Sequence, residues 1–151
     1  MFQKSRTDIN ASEAVLRVSL SLIFLVAGTG HLLNPVNIVN RLNVAPLAHL
    51  STSWASAEWL VFLAGIALIV GGIGLATGTL TRWSAILLIA VLIPITVTVQ
   101  LSPASLGPLF KNVAILGGLF YFAVNGARVL SIDAALSDRR QISPIAETAA
   151  A

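Results

Sequence analysis

Four long apolar stretches, each almost free of charge, run through the chain at about residues 15–33, 59–76, 83–99 and 113–124. A helix needs about 20 apolar residues to cross the hydrocarbon of a bilayer. The shorter stretches reach that length once flanking Lys and Arg side chains snorkel outward. The pattern predicts an all-α membrane protein, a four-transmembrane-helix bundle in one domain.

Local signals mark the span ends. Span one starts near Glu13 and stops before Asn34-Pro35, because proline disfavours helix in the residue before it. Span two starts at Glu58-Trp59 and ends at Gly78, and Arg82-Trp83 opens span three after a tight connection. Pro94 removes one backbone hydrogen bond inside span three and predicts a bend. That span ends near Gln100, before Ser102-Pro103, and span four lies between Lys111 and Arg128. The only long loop, 34–56, carries Val36, Val39, Leu42 and Leu47 among polar residues, which predicts a short interfacial helix. Residues 1–12 form a polar tail, 13–133 the membrane domain and 134–151 a second tail. Ser131 and Asp133, just before that second tail, suit the start of a helix leading into it, and the Ala-rich end is expected to be disordered. The apolar run continues past Ala27-Gly28-Thr29-Gly30 to Leu33, so the first span is read as uncleaved rather than as a signal peptide.

Composition agrees with lipid as the solvent. The hydrophobic fraction is 56% and the charged fraction 10%, against about 45–50% and about 25% in soluble domains. The pI is about 10.2, but the net charge is only +3. That excess suits an anionic leaflet and gives no nucleic-acid partner. With both termini cytoplasmic, the inner side holds Lys4, Arg6, Arg17, Arg82, Arg128, Arg139 and Arg140, and the outer side only Arg41 and Lys111. The positive-inside rule selects that orientation. Trp54, Trp59 and Trp83 fall at span ends, as interfacial belts require.

Small residues on span two (Ala57, Ala64, Ala67, Gly71, Gly74 and Gly78) form a seam at alternating three- and four-residue steps, broken only by Leu60. Such seams let helices approach closely in lipid. Ala114 and Gly118 repeat the device on span four.

Ionisable groups within a membrane are costly and point to function. They sort into two layers. The outer candidate cluster is His31, Glu58, Gln100, Lys111 and Asn112, one contribution from every span end. Gly65 and Gly72 follow Glu58 at heptad spacing, a register that aims Glu58 at the bundle axis. This set could hold the polar head of a quinone or lipid, or relay protons. It could equally be an ion pair of Glu58 with Lys111 or His31 that ties helix ends together. The inner layer is Arg17, Arg82, Arg128 and Asp133, read as a charge lock, with anionic headgroup binding as the alternative. Asn125 is expected to hydrogen-bond across helices.

Other chemistry is excluded by what the chain lacks. There is no cysteine, hence no disulfide, iron–sulfur cluster or thiolate zinc site. His31 and His49 are the only histidines, and His49 lies in the loop, which leaves no bis-histidine haem. Too few carboxylates face the axis for a dimetal centre. No metal site is assigned.

The chain resembles the DoxX family of small bacterial four-span membrane proteins. The resemblance rests on Arg17, the run 22–28 with His31 and Pro35 after it, Glu58, Gly78 with Thr81-Arg82, Lys111-Asn112, Leu116-Gly117-Gly118, and the closing stretch from Gly126 to Asp133. The family often has lysine where His31 stands. The resemblance implies a protein of the bacterial inner membrane, linked to quinone-coupled oxidoreduction and served by a partner membrane or redox protein. No residue here ligates an electron carrier, so the cofactor is open, with quinone the leading candidate. Two other classes stand beside this one: a non-enzymatic scaffold or assembly factor, alone or as a homo-oligomer, and a small transporter or lipid-binding protein.

Overall fold

The computed structural model describes residues 6–101, 105–127 and 131–133, with side chains from residue 11 onward. Six α-helices follow one another: α1 (Arg6–Leu33), α2 (Pro35–Asn43), α3 (Ala48–Thr52), α4 (Ala57–Thr77), α5 (Thr81–Ile95) and α6 (Leu106–Asn125). A π-helical turn, Thr96–Gln100, extends α5. No strand occurs among the described residues.

Four segments are long and apolar enough to cross a membrane: Ala11–Leu33, Ala57–Thr77, Thr81–Gln100 and Leu106–Asn125. Only 22% to 33% of each is buried inside the chain. The rest, including Val26, Leu63, Val70 and Phe120, is exposed. In water such surface would drive aggregation; in lipid it is the expected exterior. The chain is a multi-pass membrane protein.

Two spans begin earlier than the hydropathy pattern predicts. Helix α1 starts at Arg6, inside the polar segment read as a tail. Helix α6 starts at Leu106, so Lys111 lies in its second turn rather than at its start. Pro108 is tolerated there because the first-turn N–H groups have no intrahelical acceptor.

The main core joins Leu20 and Phe24 of α1, Leu68 and Leu75 of α4, Leu88 and Leu92 of α5, and Leu119 and Phe122 of α6. Glycine sets the close approaches. A Cβ on Gly28 would lie 2.7 Å from Ile69, and one on Gly65 would lie 2.8 Å from Leu32. Helices α1 and α4 therefore pack along a glycine face distinct from the predicted seam. Part of that seam meets α5 instead: a Cβ on Gly71 would sit 2.7 Å from Leu88, and Gly74 backs onto Ser84.

A second core lies at the opposite end from Asp133. Val39 and Leu42 of α2 pack with Ala57 and Val61 of α4. The loop thus contains the expected short helix, and its buried residues recur at the three-residue step that one helix face requires. At the other end, a turn begins at Ile132-Asp133. Arg128 and the tail beyond Asp133, with Arg139, Arg140 and the Ala-rich end, lie outside the described residues, as do Lys4 and Ser102-Pro103.

Candidate functional site

The end of the bundle at the α4–α5 turn is closed by Asp133. Its carboxylate accepts the Leu80 N–H at 2.9 Å, the Thr81 N–H at 3.0 Å and the Thr81 hydroxyl at 3.0 Å. Its own N–H donates to the Gly78 carbonyl at 3.0 Å. The α4–α5 turn needs this support. Gly78 sits at φ 69°, and Leu80, which has a Cβ, at φ 47°, a conformation that costs roughly 1–2 kcal/mol. Asp133 supplies from 52 residues away the N-terminal cap that Leu80 lacks.

Arg17 is 2% exposed and Glu13, one turn earlier, 6%. The Arg17 guanidinium approaches Gly78. Desolvation is the largest single influence on the Asp133 carboxyl and raises its pKa. The hydrogen bonds from Thr81 and Leu80, with the charge of Arg17, outweigh it and hold the pKa below its ordinary 3.8. Of the predicted inner layer, Arg17 and Asp133 come together. Arg82 is exposed, with its side chain against Gly126. Glu13 and Thr81 were not picked out from sequence.

At the opposite end lies a cavity of about 600 Å³, within the ~300–1,000 Å³ range of ligand pockets. Its cause is local. Below it, Gly71 and Gly74 hold α5 tight on α4. Above, the wall passes from Leu60, Ala64 and Ala67 of α4 to Ala90, Pro94 and Thr98 on the other side. Pro94 and the π turn after it interrupt the regular ladder there. Two hydroxyls bond back onto this stretch: the Thr96 hydroxyl donates to the Leu92 carbonyl and the Thr98 hydroxyl to the Pro94 carbonyl, both at 2.7 Å. The cavity walls are apolar, and its polar rim is His31, Arg41, Ser51, Thr98 and Gln100.

His31 is half-buried, and its Nδ1 lies 2.7 Å from the Ala27 carbonyl. A carbonyl only accepts, so Nδ1 carries the proton. In the neutral ring Nε2 is then left as an acceptor. His31 and Gln100 of the predicted outer cluster share this cavity. Glu58 and Lys111 are exposed and do not line it. Glu58 does share a helix face with Gly65 and Gly72. However, Gly65 already meets the last turn of α1, at His31 and Leu32. Seven residues further out, about 10 Å along the axis, no α1 remains to cover the carboxylate. Asn112 is buried off the cavity, and its Nδ2 donates to the Thr96 hydroxyl at 2.9 Å. It makes a cross-helix bond of the kind expected of Asn125, whose Nδ2 donates to the Tyr121 carbonyl of its own helix.

Arg41 and Ser51 reach the rim from the loop and were not singled out from sequence. The signal for Arg41 was present: Ile38, Arg41 and Leu42 fall on one face of α2 by helical spacing. Among the described residues no group of His, Asp and Glu could hold a metal ion.

A family model for DoxX matches residues 13–101. The chain belongs to the DoxX family. The matched segment contains every residue that lines the cavity, from Val26 to Gln100. It stops short of α6 and of the closing stretch at Asp133. No curated protein and no solved structure matches the chain.

Proposed function

We propose that this DoxX protein is the membrane subunit of a quinone-linked redox system and holds the quinone in the outer cavity. One observation carries the reading: an apolar chamber within the bilayer-spanning region whose few polar groups gather at one end. That is the profile of a quinone, with an apolar tail and a ring bearing two carbonyl oxygens. The Gln100 amide N–H can donate to one oxygen. His31 can accept a hydrogen bond from the reduced ring at Nε2, or donate when protonated. A quinone would supply the two-electron chemistry, and with no recognisable electron-carrier ligands in the sequence the electrons would come from a partner or a soluble cofactor. Both termini are placed in the cytoplasm, which puts the cavity toward the periplasmic half of the inner membrane. The positive-inside bias supports that placement.

The test is calorimetric titration of the detergent-purified full chain with decylubiquinone. Saturable binding is expected, weakened about tenfold in both His31→Ala and Gln100→Leu, since a lost hydrogen bond to ligand is worth about 1 kcal/mol or more. Equal heats from both variants and the parent would refute the site.

A further inference from the structure

The proposed quinone site leaves the rim's permanent cation without a task. Arg41 lines the cavity from α2, and a neutral quinone head offers its permanent charge no counter-ion. No carboxylate lines the cavity beside it. Glu58, the nearest acidic side chain in sequence, is exposed and off the cavity. Arg41 also sits where a lipid head would be. Its neighbours Val39 and Leu42 are buried in the outer core, which fixes α2 over the end of the chamber, while Arg41 itself stays exposed. The wall residues Val26, Leu63 and Pro94, from three adjoining helices, are at once exposed and cavity-lining. The chamber is therefore reachable sideways from the acyl-chain region.

We infer that the cavity also takes a single-chain anionic lipid, with a carboxylate or phosphate head on Arg41 and the chain lying between α4 and α5. Guanidinium pairs bidentately with both head types. The apolar wall favours a hydrocarbon chain, at roughly 0.8 kcal/mol per buried CH₂ relative to water. Such a lipid and a quinone would compete for one chamber, so occupancy by quinone would fall as free anionic lipid rises. The inference rests on the cavity being the ligand site proposed above.

Full-length protein in dodecyl maltoside is titrated with cis-parinaric acid, followed by its fluorescence. Bound probe is displaced with oleate, with oleoyl lysophosphatidate, with oleyl alcohol, and with acetate or inorganic phosphate alone. Oleate and lysophosphatidate should displace at least tenfold better than oleyl alcohol, and the free anions not at all. Arg41→Gln should weaken oleate about tenfold and leave oleyl alcohol unchanged, with Arg41→Lys intermediate. Lys111→Gln, which removes the outer cation that lies off the cavity, should not alter oleate binding. Equal potency of oleate and oleyl alcohol, or an equal effect of Arg41→Gln on both, overturns the inference. So does displacement by acetate or phosphate alone, which would mean that the chain is not held. Decylubiquinone binding without parinarate binding overturns the anionic-lipid site alone. Parinarate binding without decylubiquinone binding overturns the quinone reading alone, and binding of neither overturns both.

Discussion

The two ends of this bundle solve the same problem in opposite ways. Both must pack α4 against α5, and both carry polar groups next to lipid. At the Asp133 end, glycines draw the helices together and a carboxylate accepts three hydrogen bonds. At the His31 end, Pro94 and a π turn interrupt the helix, a cavity opens, and polar side chains gather at its rim. One end spends its polar groups on itself. The other keeps them facing a space. Stability and the proposed binding are thus divided along the axis of a single helix pair, and substitutions should sort by end.

The largest effect is expected at Gly78. A Cβ there would collide with Ser131, and φ of 69° disfavours any L-residue. Gly78→Val should destabilise by on the order of 3 kcal/mol, from backbone strain plus overpacking. Thermal unfolding followed by size-exclusion chromatography would read it as loss of monodisperse protein. A well-behaved Gly78→Val protein would mean that the Asp133 end is not the rigid one.

Asp133→Asn comes next, at about 2 kcal/mol, because charge-assisted bonds give way to neutral ones. The effect has a pH signature. The folded-state pKa of Asp133 is lowered from its ordinary 3.8. Its contribution is therefore fully present above the unfolded value and is lost as pH falls through the lowered folded value. Parent protein should lose stability below about pH 4, near the ordinary carboxyl pKa, and Asp133→Asn should lose less over that window. Parallel melting curves would remove Asp133 as the source.

A smaller effect is expected within the His31 end, beside the cavity. Asn112 and Thr96 join α6 to the π turn through one buried bond. Interhelical hydrogen bonds in membranes average about 0.6 kcal/mol. Asn112→Leu and Thr96→Val should each cost roughly 1 kcal/mol, and the double variant less than their sum. Strict additivity would show that the two side chains act independently.

The division was only half visible in the sequence. The four spans, the loop helix around Val39 and Leu42, and the turn at Gly78 all follow from hydropathy, helical spacing and glycine chemistry. They are local signals. The cavity is not local. It depends on how far α5 leaves α4 after Pro94, which no single-helix pattern encodes. Proline predicted a bend, but not the π turn or its direction. The same holds for the charged groups. Arg17 and Asp133 lie 116 positions apart, and only the folded turn between α4 and α5 shows why Asp133 is needed there. Glu58 was placed on the correct helix face, but the face was covered only as far as α1 reaches.

Pro94→Ala tests the comparison most directly, although its effect on stability should be smallest. Alanine restores a backbone donor inside α5 and favours a straight helix. A straightened α5 would lie against Ala64 and Ala67 much as it already lies against Gly71 and Gly74, which would extend the packing of the Asp133 end to the His31 end. The melting temperature should stay within about 2 °C of the parent, since a net hydrogen-bond gain of about 1 kcal/mol is opposed by repacking of the π turn. Decylubiquinone affinity should fall severalfold as the chamber narrows. If affinity holds while the helix straightens, the cavity owes its width to α2 and α3 above it rather than to the kink, and the contrast between the two ends would belong to the loop instead of to α5.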